Sequence, residues 1–128
     1  KLSSQFGGDL TGADEAVEWF TQAREIDPRF DPPWYWRQAG VTYMVQKRFD
    51  TALATFAHIV VRTYRVAAYS AACHARLGDF EGARRCVEEC LAKCPEFTVR
   101  EFMAKEPFRD AADSAYFAES LLLAGLPA

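Results

Sequence analysis

The fold is decided by residues 36–59, WRQAGVTYMVQKRFDTALATFAHI, which contain two amphipathic helical patterns separated by a very short break. Small residues stand where two helices would cross: Ala39, Gly40 and Ala52. Large residues stand where one helix would wedge into its neighbour, and they are Trp36, Tyr43, Phe49 and Phe56. Apolar residues that recur every three or four positions indicate helices that bury one face. The stretch therefore predicts an antiparallel helical hairpin.

The second helix of this hairpin has a pattern that recurs on both sides of it. Each copy has an alanine at its centre, and these alanines are Ala16, Ala52 and Ala83. The aligned sets are Ala13, Ala16, Phe20 and Ala23; Phe49, Ala52, Phe56 and Ile59; and Phe80, Ala83, Val87 and Cys90. The central alanines are 36 and 31 positions apart. Recurrence at such a period is typical of helical-repeat proteins.

Apolar periodicity predicts seven helices and no strand, so the fold class is all-α. Glycines and prolines mark the breaks, because the residue before a proline avoids the helical region and glycine accepts a positive φ angle. The predicted helices are 11–26, 33–46, 49 to about 62, 64–77, 80–93, 98–105 and 111–124.

Residues 36–59 resemble the tetratricopeptide repeat, a helix–turn–helix unit of about 34 residues. The positions that carry the resemblance are Trp36, Ala39, Gly40, Tyr43, Phe49, Ala52, Phe56 and Ile59. A second copy keeps the turn Leu77-Gly78-Asp79-Phe80, but Ala67, Ser70, Ala71 and His74 replace its other signature residues.

The resemblance implies a TPR-like α-α superhelix of antiparallel helical hairpins with a C-terminal capping helix. Residues 1–10 would be a flexible leader, and residues 96–128 would be capping helices. Residues 11–95 would hold about two and a half repeats, divided into 11–27 (the second helix of a partial repeat), 33–63 and 64–95.

A narrower resemblance concerns the runs RFDPPWYWRQAGVTYMVQKRFDTALATF (29–56), ACHARLGDFEGAR (72–84), FMAKEPFRD (102–110) and LLLAGLPA (121–128). Together they resemble the C-terminal repeat region of bacterial adenylate/guanylate cyclase-type signalling proteins. The resemblance implies a non-catalytic, protein-binding end of a larger protein. None of a cyclase's metal-binding aspartates or base-reading residues can be placed here, so we expect any catalysis in a domain outside this chain. The first residue is Lys1, which also leads us to expect a piece of something longer.

The composition of the chain limits the classes of partner that we expect. Half of the residues are hydrophobic, which provides ample material for a core, and the net charge is −3. An acidic chain lacks the basic face that nucleic acids and anionic membranes require. No run approaches the roughly 18 apolar residues of a membrane span, and no signal peptide opens the chain. We expect neither a nucleic-acid nor a membrane partner.

Successive first helices of a repeat array line a concave groove, where side chains are released from packing. The predicted groove residues are Trp34, Arg37, Gln38, Val41, Met44, Arg65, Tyr69 and Arg76. Arginines and aromatic residues are enriched at binding hot spots, so we expect a protein or peptide partner that carries carboxylates. The alternative is that these arginines are solvated or ion-paired. The chain has no asparagine, so the carboxylate clamp of chaperone-binding repeats is not expected.

The last predicted helix is apolar on more than one face. It either seals the end of the array or serves as a self-association surface that makes a homodimer. The residues of that predicted surface are Tyr116, Phe117, Leu121 and Leu122.

The cysteines give a third hypothesis, a metal or redox sensor. Cys86, Cys90 and Cys94 recur at every fourth position, with Cys73 and His74 as further donors. Cysteines at that spacing on one helix have poor geometry for disulfides, which favours a reducing, cytoplasmic location. Because Cys90 occupies a packing position of the repeat, we predict no metal and no cofactor. The histidines have no nearby nucleophile motif, so we predict no enzymatic activity.

Overall fold

The computed structural model describes residues 12–29, 32–105 and 111–128. These residues form helices and contain no strand, which confirms the all-α prediction. The helices are α1 (Gly12–Ile26), α2 (Pro33–Val45), α3 (Phe49–Phe56), α4 (Tyr64–Arg76), α5 (Phe80–Lys93), α6 (Val99–Ala104) and α7 (Ala111–Ala124).

The chain divides into two compact units, one that ends at Val60 and one that begins at Val61. In the first unit, α2 packs against both α1 and α3. The buried phenol of Tyr35 donates a hydrogen bond of 2.8 Å to the carbonyl oxygen of Phe20, and the two rings meet edge to face at 5.3 Å. This pair joins α2 to α1 through both a polar and an apolar contact.

The crossing of α2 and α3 depends on Gly40 and Phe56. A β-carbon added at Gly40 would overlap the ring of Phe56, which is fully buried. Ala52 is also fully buried and Ala39 nearly so, as the small-residue pattern predicts. The absence of a side chain at Gly40 therefore lets a phenylalanine ring lie directly against the α2 backbone.

In the second unit, α4 packs against α5 on one side and α7 on another, and α7 also contacts α6. Tyr69 stacks on Phe117 with ring centroids 5.5 Å apart and contacts Phe102 at 5.7 Å. The backbone N–H of Val99 donates to the carbonyl oxygen of Pro127 at 2.7 Å. An aromatic core and one backbone hydrogen bond thus hold α6 and α7 around α4.

The turns of the two hairpins, α2–α3 and α4–α5, have the same backbone geometry. Lys47 (φ 62°) and Gly78 (φ 83°) adopt positive φ angles at equivalent positions of the repeat. The N–H of Arg48 donates to the carbonyl oxygen of Tyr43 at 2.9 Å, and the N–H of Asp79 donates to that of His74 at 2.8 Å. Each turn also has a second bond that closes back on the last helical turn, the pattern of a Schellman cap. The repeat seen in the sequence therefore extends to its hydrogen bonds.

The predicted helix boundaries agree with the structure to within one residue, with one exception. Helix α3 ends at Phe56, whereas we predicted that it continues to about residue 62. The β-branched residues Ile59, Val60 and Val61 have low helix propensity. Thr63 then starts α4 as a capping residue, its hydroxyl accepting from the N–H of Val66. The predicted leader, residues 1–10, lies outside the described residues.

Candidate functional site

One stripe along α2 gathers four of the predicted groove residues: Trp34, Arg37, Gln38 and Val41. They are spaced at i, i+3, i+4 and i+7, so they share one face of the helix. Trp34 is 46% exposed and Gln38 is exposed, while Arg37 and Val41 are half-buried. We call these four residues the α2 stripe. It combines an indole, a cation, an amide and an aliphatic side chain at the surface.

Arg37 is distinctive for its lack of partners. It has no hydrogen bond, ion pair or ring contact with any residue that the structure describes. The other half-buried arginines of the described ranges are engaged. Arg62 pairs with Glu89 and Arg76 with Glu119, while Arg24 lies over Trp36 and Arg65 over Phe102. A guanidinium without an acceptor in the fold keeps its N–H donors available to solvent or to an external anion.

Gln38 is the second polar side chain on the stripe. Its backbone carbonyl accepts a hydrogen bond of 2.8 Å from the hydroxyl of Thr42. Its side-chain amide bonds to nothing within the described part of the chain. The stripe therefore offers an amide donor and an amide acceptor beside the cation.

Met44, predicted to lie in the groove, is only 6% exposed. At about 100° per residue it lies about 80° around the helix axis from Trp34, beyond the edge of the stripe. The chain's own core covers it, so it has no surface to offer a partner.

The groove residues predicted on α4 make contacts inside the second unit. Tyr69 is 3% exposed and stacks on Phe117. Arg76 donates to the hydroxyl of Ser120 at 2.7 Å and to a carboxylate oxygen of Glu119 at 2.7 Å, and it lies 3.9 Å over the ring of Tyr116. Arg65 lies over the rings of Tyr64 and Phe102. These three side chains hold the unit together.

The residues of the predicted self-association surface on α7 are partly buried and partly exposed. Phe117 and Leu121 are buried, and the ring of Tyr116 packs against Arg76. Leu122 stays exposed, as does its neighbour Leu123. Two adjacent leucines therefore remain of the apolar face that the sequence suggested.

The cysteines are free thiols, and Cys73 and Cys90 are buried. Burial raises the pKa of Cys73 to about 12 and that of Cys90 to about 11, and it also raises the pKa of Cys86. The thiolate is the nucleophile and the metal ligand, so these thiols are poorly reactive at neutral pH. Within residues 12–29, 32–105 and 111–128, no three His, Cys, Asp or Glu side chains are arranged to hold a metal ion.

The two histidines make defined contacts that sequence reasoning missed. The Nδ1 atom of His74 lies 3.1 Å from a carboxylate oxygen of Asp79. The carboxylate of Asp79 also accepts a hydrogen bond from the N–H of Gly82, and this bond is the main reason why the pKa of Asp79 is lowered. His58 stacks on Trp36 with ring centroids 3.9 Å apart. The residues of the second contact lie far apart in the chain, so periodicity gave no signal for it.

A search of the described helices for one long and apolar enough to cross a membrane found none. Comparisons with protein-family models, with curated proteins and with solved structures gave no match to the chain.

Proposed function

We propose that the chain is a non-catalytic protein-interaction module that binds an acidic peptide or protein segment along the α2 stripe. The observation that carries this proposal is Arg37, a half-buried arginine whose guanidinium has no partner among the described residues. Beside it lie the exposed indole of Trp34 and the free amide of Gln38. Arginine and tryptophan are the residue types most enriched at binding hot spots.

The energetics favour a carboxylate ligand. A hydrogen bond to a charged group contributes about 1.5–3 kcal/mol, and Arg37 forms no such bond within the described chain. The planar guanidinium accepts a carboxylate through two parallel hydrogen bonds. A bound Asp or Glu would supply the acceptor that the fold does not.

The resemblance to tetratricopeptide repeats supports the same function, because such arrays act by binding partners. The narrower resemblance supports a place in a larger bacterial signalling protein of the cytoplasm, whose catalysis would lie in another domain. The raised pKa values of the cysteines argue against the sensor hypothesis.

Binding of a peptide library tests the proposal. The library presents Asp and Glu in one half and the amides Asn and Gln at the same positions in the other. We expect selective binding of the acidic half, and a loss of about tenfold or more for Arg37→Glu and for Trp34→Ala.

Arg85→Glu is the matched control, because Arg85 is an exposed arginine of α5 outside the stripe. It makes the same change of charge and should leave binding unchanged. Equal weakening by Arg37→Glu and Arg85→Glu would show a diffuse charge effect and would contradict a site on α2. Circular dichroism of each variant confirms that it is folded.

Self-association through α7 is the second candidate function, and the exposure of the adjacent Leu122 and Leu123 favours it. Sedimentation equilibrium over a wide concentration range tests it. A dimer that Leu122→Glu abolishes would support it, and a monomer at every concentration would rule it out.

A further inference from the structure

We infer that the segment bound by the α2 stripe is extended and carries an aliphatic or aromatic side chain at the second position from an internal Asp or Glu. The inference rests on the proposed function and specifies the partner of that same site. It follows from the order of side chains along the stripe: Trp34, then Arg37 and Gln38, then Val41.

The spacing of the stripe sets the spacing of the ligand. With a rise of about 1.5 Å per residue, Trp34 lies about 4.5 to 6 Å along the helix axis from Arg37 and Gln38. In an extended chain, side chains at i and i+2 share one face and are about 6.6 Å apart. An apolar side chain on the indole thus places a carboxylate at i+2 against the guanidinium. Neighbouring residues point to opposite faces, and side chains at i and i+4 are about 13 Å apart, which is too far.

Gln38 favours an extended ligand over a helical one. Its amide has both a donor and an acceptor, and it bonds to nothing in the described chain. An extended peptide exposes backbone N–H and C=O groups that can pair with it, whereas a helix satisfies those groups internally. A packed helix would also require a continuous apolar seam, and the stripe is polar at its centre.

The position of Arg37 favours an internal carboxylate over a chain terminus. Trp34 lies before it on the stripe and the half-buried Val41 lies after it, about 6 Å further along the helix. Apolar contact is therefore available on both sides of the cation. A ligand that uses both contacts continues past its carboxylate in each direction.

A series of synthetic peptides tests the inference. Each peptide is a dodecamer with an amidated C-terminus, a neutral Gly/Ser background, one Leu and one Glu. The Leu and Glu are adjacent or are separated by one, two or three positions, and both orders are made. Fluorescence anisotropy of labelled peptides measures binding to the full chain.

We expect the peptides with a single intervening position to bind about tenfold more tightly than the others in at least one of the two orders. Replacing Glu by Gln should remove that advantage, as should Arg37→Ala in the protein, while Arg85→Ala should not. Gln38→Ala should weaken the best peptide about threefold or more, because it removes the pairing with the peptide backbone.

The outcomes separate the inference from the proposed function. Binding that depends on Arg37 and Glu but is equal at every spacing would overturn the inference and leave the acidic-segment function standing. Preference for a peptide whose only carboxylate is a free C-terminus would also overturn it. Absence of Arg37-dependent binding for every acidic peptide, here and in the library, would overturn both.

Discussion

At the scale of single residues, the two hairpins differ at one pair of equivalent sequence positions. In the first, Gly40 leaves room for the ring of Phe56. At the equivalent positions of the second, one repeat later in the sequence, the chain has Ala71 and Val87. A methyl group is added on one helix where a smaller side chain stands on the other. The second pair therefore has room for a β-carbon at the position of Gly40, because the side chain opposite that position in the repeat is smaller than phenylalanine.

We therefore predict that Gly40→Ala destabilises the chain by about 1–3 kcal/mol, because the added methyl group overlaps the Phe56 ring. The double variant Gly40→Ala/Phe56→Val, which copies the second hairpin, should lose less than the sum of the two single variants. Urea denaturation of all four proteins measures the coupling. Strict additivity would show that the two positions do not share one packing site.

At the scale of elements, the two turns differ in the residue that adopts the left-handed conformation. Gly78 adopts it without strain, whereas Lys47 must hold a β-carbon there. For a non-glycine residue this conformation costs about 1–2 kcal/mol. The first turn therefore carries a strain that the second does not.

Lys47→Gly should raise the free energy of unfolding by about 1 kcal/mol, because glycine relieves that strain. Gly78→Ala is the mirror control, and it should lower the free energy of unfolding by a similar amount. A steric clash does not contribute at Gly78, because a β-carbon added there would have no neighbouring side chain or distant backbone within 4 Å. A destabilised Lys47→Gly variant would show that the lysine contributes more than its backbone strain costs.

Helix α7 is attached to α4 by Arg76, whose side chain is 17% exposed. Its guanidinium donates to Ser120, which is buried, and to Glu119. By contrast, the pair of Arg84 and Glu81 lies within α5 and is largely exposed. Partly buried charged hydrogen bonds contribute far more than surface ion pairs.

Arg76→Ala should therefore cost about 1–3 kcal/mol of stability, since it leaves the buried hydroxyl of Ser120 without its donor. Arg84→Ala should change stability by no more than about 0.5 kcal/mol. Urea denaturation is the measurement, because guanidinium chloride is a salt and would screen the ion pairs that are compared. Equal effects of the two substitutions would contradict the assigned role of Arg76.

At the scale of the whole molecule, the chain divides where α3 ends early. Val60 is 93% exposed and Val61 is 79% exposed, and they lie on either side of the boundary between the two units. Exposed backbone outside helices is the preferred site of proteolytic cleavage. The helix that we predicted through this position would have protected it.

Limited digestion with elastase, which cleaves after small aliphatic residues, should cut the bonds after Val60 and Val61 before any other bond of the described ranges. Mass spectrometry identifies the cleaved bond. The double substitution Val60→Asp/Val61→Asp should remove this early cut and leave later ones in place. An earlier cut inside α4 or α5 would contradict the described boundary.

The sequence by itself determined the helices, because their information is local. Periodicity, prolines and glycines predicted the seven helices and the positions of the breaks between them. The failure at α3 is also local, since the signal from three successive β-branched residues was outweighed by the repeat pattern. Their spacing in the sequence also shows that Trp34 and Arg37 share one face of α2.

Only the tertiary structure decided which predicted site residues are available. Arg37, Arg65 and Arg76 are the same residue type at predicted groove positions, yet Arg65 is engaged by aromatic rings and Arg76 by a carboxylate of its own unit. Those contacts join residues that are distant in the sequence, such as Arg76 and Ser120, and periodicity carries no information at that range. A charged side chain is available to a partner only if no other side chain of the same unit already binds it, and the packing of the helices determines which side chains are that close.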